Sequence, residues 1–279
     1  MQNLQLIFDI LTPNPQLSNP KSLNMEFITE TYRIRITEVD AHSQLTIPAL
    51  NGLLQEMAWR HSVVEKVSVH ELSAQHNISW VLSRLKIWID RLPNYDETVI
   101  VKTYIQGVDK YFYHRDFTVT DAEGIEIIRA NSVWGLMDIV KRRITSIPEW
   151  MLAVTPIYTK VKPVERVSGK ILRIEDAEIE KNFDTRWHDI DSNQHVNNTK
   201  YVEWLMESVP TDILNNGKLN SIDMIFKNES VLGDKITRIC LSCHPKLAVT
   251  KGLSQFEGRL TRQHLPHLQA STTLLASRL

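Results

Sequence analysis

The chain has only two cysteines in 279 residues, Cys240 and Cys243. A disulfide framework of the kind small secreted domains need has too little to build on. With His244 the pair spells Cys-Leu-Ser-Cys-His, the attachment pattern of a c-type haem. That use requires export, and the run sits among strand-forming residues, where positions three apart point to opposite faces. Two strand cysteines is the reading kept. Glycine is scarce at nine residues, and neither a phosphate loop nor a dinucleotide fingerprint occurs. No apolar run reaches the ~18 residues of a membrane span. A formal net charge of −1 gives no global case for a nucleic-acid or membrane partner. His61, His70 and His76 lack metal-ligand spacing, so neither a metal nor another cofactor is expected.

The first 24 residues hold a short apolar piece, Leu4 to Leu11, broken by Asp9 and preceded by no basic residue. That is neither a secretory signal nor an arginine-rich transit segment. Residues 1–24 are expected to be a poorly ordered lead-in and the protein to stay in the cytoplasm.

Strand patterns fill much of the remainder. Candidates rich in Val, Ile, Thr, Tyr and Trp are 31–36, 79–90, 98–106, 111–121 and 126–138, then 171–174, 181–187, 221–228, 235–244 and 252–261. Two segments carry helical apolar stripes instead. The first, 47–67, places Leu50, Leu53, Leu54, Met57, Ala58 and Val64 on one face. The second, 198–209, does so with Tyr201, Val202, Trp204, Leu205 and Val209.

The two helices belong to a repeat. With Tyr32 aligned on Phe183, an offset of 151 residues, Glu38-Val39-Asp40-Ala41-His42-Ser43-Gln44 falls on Asp189-Ile190-Asp191-Ser192-Asn193-Gln194-His195. Each run follows a strand and leads into a helix, and strands follow each helix. The pattern predicts an α+β chain of two similar units, each a long helix packed on an antiparallel sheet. The expected divisions are 25–150, a linker at 151–180 near Pro148, Pro156 and Pro163, and 181–279.

The repeat is unequal where chemistry is concerned. The second copy clusters Asp191, Asn193 and His195 before its helix; the first has Asp40, His42 and Gln44. A helix N-terminus offers unpaired N–H groups and partial positive charge, which suits a developing oxyanion. Carboxylate and imidazole beside it supply acid–base or nucleophilic groups. The plainer alternative is that Asp191 and the Asn197-Asn198 pair only cap the helix. Lys141-Arg142-Arg143 suits either a docking patch for an acidic partner or a solvated strand end. Trp59, Trp80, Trp88 and Trp134 are expected in the core or lining a pocket.

The segment FDTRWHDIDSNQHVNNTKYVEWLMESVP resembles the most characteristic motif of the plant and bacterial acyl-acyl carrier protein (acyl-ACP) thioesterases. In the first half QEMAWRHS and WVLSRLKIWIDRLPNYDETVIVKTY are similar to that family, as is YHRDFTVTDAEGIEIIRANSVWGLMDIVKRRITSIP. The resemblance covers about 25–235. It implies two tandem hot-dog folds, catalytic groups in the second and much of the acyl pocket in the first. It implies hydrolysis of fatty acyl-ACP to free fatty acid, with acyl carrier protein as partner and either a monomer or a homodimer. Acyl-CoA hydrolysis, or acyl binding without catalysis, are the alternatives. By matching positions Asp191, Asn193 and His195 take catalytic places, and IDMIFKNES supplies a strand glutamate, Glu229. Glu229 or Asp191 then activates water or attacks directly, His195 moves or positions a proton, and Asn193 orients the site. Many plant members carry cysteine just after that glutamate. This chain has Ser230, which argues for a reaction without a catalytic cysteine.

Overall fold

The computed structural model describes residues 26–167, 179–217, 219–226, 229–241, 256–261 and 272–273. Its first half runs β1 (Phe27–Arg33), α1 (Ile47–Val64), α2 (Val69–His76), β2 (Ile78–Ile89), β3 (Thr98–Val108), β4 (Phe112–Thr120), β5 (Glu126–Asp138), β6 (Arg143–Thr145) and α3 (Glu149–Val154). The second runs β7 (Ile179–Asp184), α4 (Asn198–Ser208), α5 (Thr211–Asn216), β8 (Ser221–Phe226), β9 (Lys235–Leu241), β10 (Phe256–Thr261) and β11 (Thr272–Thr273). The expected strand at 171–174 lies outside the described residues, as do Cys243 and His244.

Local sequence explains both long helices. Thr46 caps α1 by accepting a hydrogen bond from Ala49 N, and Pro48 sits in the first turn, where its missing N–H costs nothing. Leu50, Leu54, Met57 and Ala58 then bury one stripe. Asn197 caps α4 through Thr199 N, and Tyr201, Val202, Trp204 and Leu205 form the matching stripe. Both helices end before the expected limits. The first stops because Lys66 turns left-handed and Ser68 opens α2 with a capping box to Glu71.

The strand order β1-β3-β4-β5-β2-β8-β10-β11 makes one antiparallel sheet across both halves, with β6 beside β5 and β7–β9 as a separate pair. The seam is β2 against β8, with Ile87 opposite Ile222 and Leu85 opposite Met224. At the same seam Arg84 grips Asp223 with two hydrogen bonds of 2.8 and 2.9 Å. Helices α1 and α4 lie together over the sheet. Leu50, Leu54, Val202, Leu205, Ile87 and Met224 all join one core, so the halves share a single interior. Burial of each large aliphatic side chain there contributes about 2 kcal/mol.

The repeat extends to the pairing of the strands, with a change of offset. In both halves the first strand pairs with the same later strand, Arg33 opposite Thr98 and Asp184 opposite Lys235. The offset therefore falls from 151 residues, Arg33 to Asp184, to 137, Thr98 to Lys235. The second half is shorter between these points: α4 has 11 residues against 18 in α1, and β8 has 6 against 12 in β2. This is a tandem hot-dog arrangement, as expected. The stretch expected to run as a linker packs against the first half up to residue 167. Met151 is fully buried, and Tyr158 lies against the rings of Phe27 and Tyr104. Val164 N donates to Asp116 Oδ2 at 2.9 Å.

Candidate active site

The run before α4 folds into a tight turn. Asp191 N donates to His195 O and Gln194 N to Asp191 O, with Gln194 left-handed at φ 65. Asp191 Oδ1 closes the turn by accepting from Asn193 N at 2.8 Å and His195 N at 3.4 Å. The first half does the same: Asp40 Oδ1 accepts from His42 N at 2.8 Å and Gln44 N at 3.0 Å, and Ser43 has φ 61. One oxygen of Asp191 thus serves the backbone of the turn, while the cap of α4 is Asn197 and not Asp191. Asp191 also lines a cavity, which Asp40 does not.

That cavity, of about 470 Å³, lies between the halves. The first half supplies most of its wall, from α1 and the sheet. The second supplies Asp191, Ser192, Asn193 and the start of α4 at Asn197, Asn198 and Thr199. Trp59, Trp80 and Trp134 line it; Trp88 does not. The indole N–H groups of Trp80 and Trp134 bond within the protein, to Val67 O and Ser132 Oγ, which leaves apolar ring surface for a ligand. The volume falls in the range of small-molecule sites.

One wall is polar. Buried Arg115 donates to His61 Nδ1 at 2.8 Å and stands 3.9 Å from the carboxylate of buried Glu65. Burial pushes Glu65 up to about 7, against the pull of Arg115. Sequence reading singled out neither Arg115 nor Glu65, because nothing local marks a charge that only folding buries.

Glu229 was expected on a strand. It lies past the end of β8, in the connection to β9, beyond the last β2–β8 pair at Ile225. A backbone bond from Val196 N to Ser230 O, 2.8 Å, ties that connection to the turn. It sets Glu229 Oε2 3.3 Å from His195 Nε2. Ser230 itself is fully buried and bonds to Tyr201 of α4, whose phenol burial raises above its ordinary value. The four expected residues therefore form two linked pairs. Asp191 and Asn193 line the cavity; His195 Nε2 and Glu229 Oε2 lie 3.3 Å apart and are not among its lining residues. Sequence reading missed a fifth member. Arg142, from the first half, donates to Glu229 Oε2 at 2.5 Å. The two lie 87 residues apart, so no spacing could have shown it. The other residues of interest stand apart: His70 packs edge-on against Trp59 in the cavity wall and His76 stacks on Trp150. No cluster with metal-ligand character occurs among the described residues.

Two α+β units sharing one sheet, with a cavity between them and a carboxylate–imidazole pair beside it, define a tandem hot-dog protein with a candidate hydrolytic site. Family models agree on what kind. The acyl-ACP thioesterase N-terminal domain matches residues 26–155 and the C-terminal domain 173–269, and the chain belongs to the acyl-ACP thioesterase family. A palmitoyl-acyl carrier protein thioesterase, chloroplastic, of Gossypium hirsutum is 32% identical over 212 residues, 72% of this chain and 51% of the relative. The chain spans about half the length of the curated relatives it matches first. An acyl-ACP thioesterase of Bacteroides thetaiotaomicron superposes with a TM-score of 0.71 at 22% identity, over 92% of this chain and 100% of that one. The 12:0-ACP thioesterase of Umbellularia californica gives 0.71 at 24%, over 91% and 98%.

Proposed function

We propose that this chain hydrolyses the thioester of fatty acyl-ACP, releasing free fatty acid and holo-ACP. The observation that carries the reading is the cavity that ends at the turn before α4. An acyl chain lying among the tryptophans would bring its thioester to Asp191, Asn193 and the positive end of α4. Membership in the family supports the substrate class, as does the description of several relatives as acyl-ACP hydrolases.

In this reading His195, beside Glu229 and on the same turn as the cavity-lining Asp191 and Asn193, takes a proton from a water that reaches it from the cavity edge. The water oxygen adds to the carbonyl carbon. Asn193 and the first N–H groups of α4 stabilise the oxyanion, and Asp191 keeps the turn in shape and faces the reacting group. Collapse breaks the C–S bond, and the proton passes from His195 to the leaving pantetheine sulfur. The reading uses no cysteine, since Ser230 stands where many plant members carry one. Release of fatty acid from acyl-ACP and acyl-CoA across several chain lengths tests the proposal. Turnover confined to acyl-CoA would replace the carrier, and binding of both without release would leave an acyl-binding protein. The described residues contain no helix long and apolar enough to cross a membrane. A cytoplasmic location is part of the proposal, and fractionation distinguishes it from the chloroplast named for plant relatives.

A further inference from the structure

We infer that Arg142 is a positioning residue for this reaction: it reaches from the first half to hold the Glu229 carboxylate against His195. The inference rests on the reading of the site just given. Three observations carry it. The first is the contact, in which Arg142 Nη2 and His195 Nε2 meet the same oxygen, Glu229 Oε2, at 2.5 and 3.3 Å. Among the described residues the Arg142 guanidinium is the group that donates a hydrogen bond to this carboxylate. Arg142 is 56% and Glu229 28% exposed, so solvent screens the pair and its expected role is to orient the carboxylate rather than to stabilise the fold.

The second is how Arg142 is held. Asp138 Oδ1 accepts from Val140 N and Lys141 N, and Arg142 N donates to Asp138 O at 2.8 Å. The turn puts Arg142 at φ 53, a left-handed conformation that costs any residue but glycine free energy, asparagine and aspartate least. The third is selectivity within Lys141-Arg142-Arg143. Lys141 folds back on Asp138 at 3.3 Å, and Arg143 pairs in β6 with the same residue's backbone. Arg142 is the member of the run that crosses to the second half. The run is therefore more than a solvated strand end, and its middle residue belongs to the site rather than to a docking patch.

Arg142→Ala, Arg142→Lys, Lys141→Ala and Arg143→Ala in the full chain separate these roles, each assayed on acyl-ACP and on acyl-CoA of the same chain length. We expect Arg142→Ala to lower kcat about 10-fold or more on every carrier that wild type uses, with KM little changed, by misplacing the catalytic pair. Arg142→Lys should recover much of that loss, and the two flanking variants should keep wild-type kcat. The His195 ring resonance, followed by NMR, should move in Arg142→Ala and stay in Lys141→Ala. Wild-type kcat in Arg142→Ala overturns the inference, as does a rise confined to KM for acyl-ACP, which marks a docking residue. An Arg142→Lys variant as impaired as Arg142→Ala, with both losing thermal stability, also overturns it. If wild type releases acid from neither carrier, the reading of function fails. The His195 resonance then decides by itself whether Arg142 holds the pair.

Discussion

The two halves build the same turn and use it differently. Leu45 N donates to Pro93 O in the first as Val196 N donates to Ser230 O in the second, at 2.9 and 2.8 Å. Ile34 N to Glu97 O likewise matches Thr185 N to Asp234 O. On this shared scaffold the counterpart of Glu229 is Leu92, that of His195 is Gln44 and that of Tyr201 is Leu50. The space differs too. Helix α4 is seven residues shorter than α1, about 10 Å of rise, so α5 comes up against the first turn, where His42 Nε2 lies 3.3 Å from Asn215 Oδ1. The longer α1 leaves room for the cavity beside the second turn. In the proposed reading, a duplicated backbone becomes a site where one copy carries different side chains and the other leaves a space.

The largest expected effect comes from cutting the seam between the halves. Arg84→Met leaves Asp223, about 10% exposed, without its bidentate partner and should cost about 3 kcal/mol in chemical denaturation. Adding Asp223→Leu should return much of it; no recovery would mean that the loss came from packing. Next, Glu229→Gln or His195→Ala should lower kcat by about 10²-fold or more, while Gln44→Ala leaves it near wild type. Equal losses in both halves would erase the functional asymmetry.

The Asp191→Asn and Asp40→Asn pair sharpens the comparison further. Both carboxylates accept the same two backbone bonds, so the variants should lose similar, small amounts of thermal stability. Only Asp191→Asn should slow turnover, by about 10-fold, if its second oxygen faces the reacting group. Stability loss in Asp191→Asn with full activity would leave it a turn residue alone.

Smaller still is a pH effect confined to the first half. Burial holds Glu65 near 7, above its ordinary value, so the folded chain binds more protons than the unfolded one between about 4.5 and 7. Its contribution is fully present below that window and lost as pH rises through it. Glu65→Gln should flatten the fall in melting temperature across the window by a few degrees; an unchanged slope would assign it to other groups, such as Asp116, which burial raises to about 6. Smallest of all, replacing Cys240 and Cys243 by Ala should leave most turnover in folded protein.

The duplication, the helical stripes, the α+β class and the turn that carries Asp191, Asn193 and His195 were legible in the sequence, because local chemistry writes them. Apolar spacing decides which segment is helix, Asp at the head of the run decides the turn, and Thr46 and Asn197 decide where the helices begin. Short elements such as α2, α5 and β6 escaped that reading, since eight residues or fewer carry little periodicity. Tertiary structure alone decided that Arg142 meets Glu229, that Arg115 and Glu65 are buried beside the cavity, and that the cavity opens by one turn and not the other. Those contacts join residues far apart in the chain, and their cost and strength depend on how much water the packed sheet and helices exclude.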